Sequence, residues 1–479
     1  MGIGTIFDIA SSGISANRLA IEVAGENIAN VNTEGYSRQQ VIMENKPVTN
    51  ANGFALGTGV QIAAVQRTYD GMLQAQLVNG SSSYQENLAR QTALEQIEPS
   101  FNELASDGLG QAVENFFGGW QDLTANASGA AERQALLTRS QILVDSFRQL
   151  DTTLTGVAQT ADNNLVGIAA EVTDSARSLA LINTQILATR SVAGNSNELL
   201  DQRDLLLRRL SEQVEITTTL ASDGTASVAL PGGEQLVTGT RYATLYTNPN
   251  AGDNDILVSG LGNPPIPKNP LSDQVVGTVG GGAALGGKLG GTMQVRDEIV
   301  PKYLGRLDEM AGELVTAVNT LHRAGYALDG TTLNNFFDPA GVTAGGIALA
   351  AGLTTQKVAA ALPTAADPLP TSTGNNVNAL ALAALGNTAV AFSTGTASFG
   401  SFYGALVSEV GVDTEGAQNI AVQGGAFLKQ LKALRASNSE VSLDEELTNL
   451  TKYQRAFQGS AKVINAATDM LDTVLGMVR

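Results

Sequence analysis

The chain has 479 residues, no cysteine and a formal net charge of −18 at pH 7. That length admits about two to four domains with sizeable cores. The charge disfavours a polyanionic partner such as nucleic acid, and the lack of thiols excludes disulfides and thiolate metal sites. Met1 to Ala10 show no basic n-region or long apolar h-region, so no cleavable export signal is expected. No run of about 18 apolar residues occurs, so no membrane span is expected.

The first 31 residues read in sevens. Phe7, Ile14, Ile21 and Ile28 form one row, and Ala10, Asn17, Ala24 and Val31 a second, offset by three. This is the pattern of a helix with a narrow apolar seam. "ANVNTEGYSRQ" (29–39) then ends the helix with Asn30, Asn32, Thr33 and Gly35, residues with turn chemistry. Val41–Met43 and Gly59–Val65 are short β-prone runs around "NANGFALGTG", which predicts a hairpin.

A long helical region is expected from Gln85 to Val214, with breaks at Asn126–Gly129 and Val192–Ser196. Between Glu215 and Gly260, β-branched and polar residues alternate around Asp-Gly and Gly-Gly turns, the pattern of an antiparallel β module. The Pro-rich "NPPIPKNP" and a Gly-rich stretch close it. Helix returns at Met293–Ala324 and again at Ser401–Ala436. Residues 331–400, rich in Ala, Gly and Thr, carry no clear element signal.

The C-terminus repeats the N-terminal pattern. Leu443, Leu450, Phe457, Ile464, Leu471 and Val478 form one row of sevens, and Leu447, Gln454, Ala461, Thr468 and Leu475 the second. Ser442 and Glu445 offer a capping box, and Glu445 and Glu446 are placed to complement the helix dipole. Two narrow seams at opposite ends of one chain point to ends that pair with each other or with neighbouring copies. Burial along such seams is small against the backbone entropy of ordering two long helices, so contacts from other copies are expected.

No catalytic constellation emerges. "GGGAALGGKLGG" places Gly282, Gly287 and Lys288 like the start of a phosphate loop, but Leu289 stands where Ser or Thr must ligate magnesium. With His322 the single histidine and no cysteine, a triad and a multi-His zinc site are both impossible. No calcium loop has the required spacing, and Trp120 is read as packing. No cofactor, metal or enzymatic activity is expected.

"NIANVNTEGYSRQ" (27–39) resembles the N-terminal signature of the bacterial flagellar axial proteins, the rod, hook and hook-associated group. Those proteins usually carry Asn-Thr-Pro-Gly at the turn. Here Glu34 stands in place of Pro, and Asn30, Asn32, Thr33, Gly35 and Tyr36 remain as the turn motif. The closing "SRQ" is most similar to the hook-associated members found at the hook–filament junction. "NSNELLDQRDLLLRRLSEQVEI" (195–216), the block from Gly290 to Tyr326 and "SLDEELTNLTKYQRAFQGSAKVINAATDMLDTVL" (442–475) are similar to further family blocks, in the right order. The matching stretches cover about half the chain.

The resemblance implies a mainly α fold with an inserted β domain: terminal coiled-coil helices, a helical bundle and an antiparallel β outer domain. The expected division is 1–32 with 440–479 for assembly, then 33–214 with 285–330 and 401–439 for the bundle. The outer part is 215–284 with 331–400. It further implies a structural adaptor, secreted through the flagellar export apparatus to the hook–filament junction. Its implied partners are hook protein, a second junction protein with the proximal end of the filament, other copies in a ring, and an export chaperone on the C-terminal helix. The seam residues Phe7, Ile14, Ile21, Ile28, Leu443, Leu450, Phe457, Ile464, Leu471 and Val478 are the expected assembly surface. The alternatives are another axial subunit, of hook or distal rod, or an axial protein carrying a cell-wall hydrolase. The latter would have only Asp338 and Asp367 as acids in 331–400.

Overall fold

The computed structural model describes residues 3–477 except 48, 52–53, 102–107, 191–196, 251, 279–284 and 366–373. Val478, Gly282, Asp367 and the 192–196 break therefore lie outside the described residues. Helix α1 (Ile3–Ala29) leads into a hairpin of β1 (Gln39–Asn45) and β4 (Val60–Arg67), with β2 (Thr49–Ala51) and β3 (Phe54–Leu56) pairing at its tip. Helices α2 (Gly71–Ile97), α3 (Leu109–Ala125), α4 (Ala130–Arg190) and α5 (Asn197–Gln213) follow. Asp70 starts α2 as its N-cap, its carboxylate accepting from the Met72 and Leu73 N–H groups.

The β module comprises a sheet of β5 (Thr217–Leu220), β6 (Ala226–Ala229), β7 (Gln235–Thr238) and β8 (Arg241–Tyr242). A second sheet is ordered β11 (Gln274–Gly277), β10 (Asp253–Val258), β9 (Leu245–Asn250), and all pairings are antiparallel. Helix α6 (Gly287–Gln294) passes through a π-turn at Val295–Ile299 into α7 (Val300–Ala324). Helix α8 (Val377–Leu385) and the small ladder of β12 (Val390–Phe392) and β13 (Gly395–Ala397) precede α9 (Phe399–Ser439) and α10 (Leu443–Met477). The architecture is mainly α, with long terminal helices and small antiparallel sheets. No helix among the described residues is long and apolar enough to cross a membrane.

Two cores divide the body, and α4 belongs to both. Leu136, Leu143, Phe147 and Leu154 of its first half pack with α3, α7, α8 and the start of α9. Leu165, Val172 and Leu179 of its second half pack with α5, the β module and α6. This placement corrects the expected grouping of 331–400 with 215–284. Phe336, Phe337, Ile347, Val358 and Leu382 all join the first core, on the other half of α4. The reason is aromatic: Phe336 and Phe337 lie with ring centroids 5.8 and 5.7 Å from Phe116, and Phe336 is 5.3 Å from Trp120.

Side chains on α7 and α4, not strand ladders, hold much of this loop. Asn319 accepts from the Phe336 and Phe337 N–H groups and donates to the Phe337 carbonyl. His322 Nδ1 lies 2.7 Å from the Asn334 carbonyl while its Nε2 accepts from Ala359 N–H. Buried Arg133 donates to the carbonyls of Ala127, Thr355 and Val358. Anchors of this kind leave no alternation to be read in the sequence.

The Gly-rich stretch serves packing. Gly286 and Gly287 have positive φ, and a Cβ on Gly287 would sit 2.7 Å from the Val214 backbone nitrogen. Leu289 is fully buried in the second core.

Candidate assembly site at the root of the terminal helices

Helices α1 and α10 pack along each other. The apolar residues that α1 buries are small, Ala10, Ala16, Ala20 and Ala24 with Val23. At Gly13 a Cβ would lie 2.8 Å from Ser460 Oγ, so the two backbones approach closely there. The larger Phe7, Ile14, Ile21 and Ile28 flank this line and are half-buried.

On α10, Leu450, Phe457 and Ile464 are half-buried, but Leu443 and Leu471 are 45% and 37% exposed. Of the second row, Leu447, Gln454, Thr468 and Leu475 all face outward. Within one copy the row of sevens is therefore buried only in its middle. A straight α-helix has 3.6 residues per turn, so such a row drifts by about 20° per heptad and leaves the interface after two or three. Leu443, Leu447, Met470, Val474 and Met477 consequently remain exposed apolar groups within one copy.

The turn motif is the point where α1 joins the body. Asn30 Nδ2 donates back to the Glu26 carbonyl and Thr33 Oγ1 donates to Asn30 Oδ1. Gly35 has φ +87°, which favours glycine, and a Cβ there would press on the Leu205 side chain at 3.3 Å. Asn32 is exposed. Tyr36 is buried, and its hydroxyl donates to Asn27 Oδ1 at 2.9 Å; burial, more than any neighbour, pushes its phenol pKa up.

Asn27 is the hub. Its Oδ1 also accepts from Gln39 N–H, and its Nδ2 donates to the Gln39 carbonyl and to Glu446 Oε2 at 3.1 Å. Glu446 in turn accepts from Arg38 Nε at 2.7 Å, and Arg38 reaches Glu445 at 2.8 Å. The reading of Glu445 and Glu446 as dipole partners is thus incomplete. Glu446 is 3% exposed and ties the start of α10 to the end of α1 and to β1.

A second cluster anchors this root to α5. Asp201 accepts from Ser37 N–H at 2.8 Å and from Arg67 at 2.7 Å, while Arg67 also reaches Asp204 at 2.7 Å. Arg203 donates twice to Asp204, and Asn197 donates to Gln39 Oε1. Near the end of α9, Arg435 donates to the Gly35 carbonyl. Glu26 shares a hydrogen bond with Glu198 of α5; that bond, then burial and the Glu198 charge, raises its carboxyl pKa. Asn27 and Arg38 lie within the motif at 27–39 without their roles being legible there, and Arg67 and Arg435 carried no signal in the sequence. Asp201, Arg203 and Asp204 did, as three charges within the apolar "LLDQRDLLL".

Paired end helices are thus fastened to a helical body through a polar root. Two family models match the ends of the chain: "Flagella basal body rod protein" over residues 7–36 and "Flagellar basal body rod FlgEFG protein C-terminal" over 433–477. "Flagellar hook-associated protein FlgK helical domain" matches residues 94–337, more than half of the chain. The chain belongs to the flagellar hook-associated protein FlgK family.

It is similar along its length to flagellar hook-associated protein 1 of Bacillus subtilis (strain 168), 29% identical over 99% of this chain and 97% of that protein. The protein of the same description from Salmonella typhimurium is 26% identical over 99% of this chain and 100% of its own. The solved structure of the flagellar hook junction protein FlgK from Burkholderia pseudomallei has the same fold. Its TM-score is 0.67 at 16% identity, covering 77% of this chain and 100% of that one.

Proposed function

We propose that this chain is a structural adaptor of the flagellar axis that joins hook to filament and assembles through α1 and α10. The observation that carries this reading is the root network. Asn27, Arg38 and Glu446 fasten the paired end helices to the body in a fixed direction, while the outward face of α10 keeps apolar side chains exposed. Such a face needs a partner, and in an axial polymer the partner is the next subunit.

On this reading the half-buried Phe7, Ile14, Ile21, Ile28, Leu450, Phe457 and Ile464 set the pairing within a copy. The exposed Leu443 and Leu471, with Val478, meet neighbours. The turn residues Asn30, Asn32, Thr33, Gly35 and Tyr36 fix the angle between the end helices and the body. Residues 1–32 with 440–479 form the assembly unit, and the two cores along α4 form the outer body. Hook protein lies on one side, and a second junction protein with the filament on the other. The site of action is extracellular, reached through the flagellar export apparatus. An export chaperone holds the exposed face of α10 before assembly, as an amphipathic helix in a groove.

Complementation tests the reading. A strain deleted for its own junction protein should regain filaments when this chain is supplied, with the chain located at hook ends by immunogold electron microscopy. Labelling along the rod or the hook shaft would refute it.

A further inference from the structure

A cavity of about 340 Å³ opens beside the turn motif, between α5 and the end of α9. Four cations line it, Arg208, Arg209, Lys432 and Arg435, together with Glu34, Glu212 and Glu440. Two of the cations are matched: Arg209 pairs with Glu34 at 2.9 Å, and Arg435 lies 4.0 Å from Glu440 while donating to Gly35. Arg208 and Lys432 have no carboxylate within 4 Å among the described residues. Arg208 Nε is buried with no hydrogen-bond partner. Burial, then the neighbouring Arg435, pulls the Arg208 pKa down, against the charges of Glu34, Asp204 and Glu212, which raise it. The lining thus sets four cations against three carboxylates, in a chain whose net charge is −18.

We infer that this cavity receives the carboxylates of Asp469 and Asp472 from the α10 of a second copy. Both aspartates are exposed, form no ion pair among the described residues, and are flanked by the exposed apolar Met470 and Val474. They cannot fill the cavity of their own chain. Glu446 marks the root end of α10, and Asp472 lies roughly 26 residues, or about 40 Å of helix, beyond it. Cavity and acids thus sit at opposite ends of one helical hairpin, and only a neighbour can bring them together. A contact between two different surfaces of identical chains is heterologous and repeats around a ring or along an axis. Guanidinium and ammonium groups facing carboxylates give such a contact direction and register.

This inference rests on the axial-subunit reading. The experiment uses the full chain in the deletion strain, where the absence of cysteine makes engineered thiols the only ones in this chain. Arg209→Cys with Asp472→Cys, treated with a short bismaleimide on intact flagella, should give linked oligomers that neither single variant gives. A motile double variant without such oligomers overturns the contact. Should the double variant not swim, charge exchange decides. Arg208→Glu with Lys432→Glu should abolish filaments, and adding Asp469→Lys with Asp472→Lys should restore them. Unchanged motility of the first pair, or no rescue by the second, overturns it. Should the reversed pair lower the melting temperature, Arg208→Gln with Lys432→Gln replaces it and should still reduce filament number several-fold; full filamentation overturns the contact. Failure of the unaltered chain to restore filaments would instead refute the adaptor reading.

Discussion

Asn27 and Glu446 stand 419 positions apart and share a 3.1 Å hydrogen bond in the interior. Glu446 is nearly sealed from solvent, and Arg38 completes its coordination at 2.7 Å. Removing one member of a buried, charged hydrogen-bonded set leaves the others unpaired, at a cost of about 3 kcal/mol or more. Glu446→Ala should therefore release α10 from the body without melting the two cores. Hydrogen exchange should show lost protection in residues 443–460 and unchanged protection in α4. Uniform loss of protection, or none, would contradict this.

Arg67 pairs with Asp201 and Asp204, all three nearly buried. Asp201→Ala removes the acceptor for Ser37 N–H as well as the Arg67 partner. The expected destabilisation is about 2–3 kcal/mol, because the Ser37 N–H loses its acceptor and buried Arg67 keeps only Asp204, which it shares with Arg203. Chemical denaturation should show a lower midpoint with an unchanged slope. Arg67→Met with Asp201→Leu should recover part of the loss, since two apolar groups leave no orphaned charge.

His322 is held neutral, with Ala359 N–H donating to its Nε2, and burial pulls its pKa from 6.5 down to about 4. The unfolded chain binds the proton more readily than the folded one. Stability is therefore complete above pH 6.5 and falls as pH drops from 6.5 towards 4, by about 3 kcal/mol in total from this group. Thermal melts of wild type and His322→Gln between pH 7 and pH 4 check this. The variant starts less stable but should lose less on acidification.

Ile464 is half-buried at mid-seam, beside Ala461 and one turn from buried Ala467. Ile464→Asp forfeits roughly 1–2 kcal/mol of apolar burial and forces a carboxylate against α1. Central melting should stay near wild type, while cells make hooks, leak filament subunit into the medium and do not swim. Secretion of the variant must be measured alongside, since the same helix is where an export chaperone would bind. Normal motility at native expression would remove Ile464 from the assembly surface.

The sequence carried the periodic elements and lost the irregular ones. The terminal helices, the hairpin and the β module were legible because their apolar spacing follows one period each. The place of 331–400 was not, because Asn319, His322 and Arg133 hold that loop through side chains distant in sequence. The turn motif was visible as a helix stop, with Gly35 and Tyr36 in view. The partners that make it a joint, Arg38, Arg67 and Glu446, are ordinary charged residues whose roles arise only when the chain ends meet. Within one copy the heptad row leaves the α1 interface at Leu443 and Leu471, because a straight helix does not keep a period of 3.5.

Helix α4 runs unbroken for 61 residues, about 90 Å, with one core wrapped around each half. Neither half can swing against the other without breaking hydrogen bonds of the shared helix. A rotating appendage loads its subunits in torsion and bending. Here such a load entering at the root passes into one continuous helix that both cores grip. Residues 35–38 are tied to α5, α9 and α10 by Asp201, Arg435 and Glu446, so the joint hands the load on rather than yielding to it.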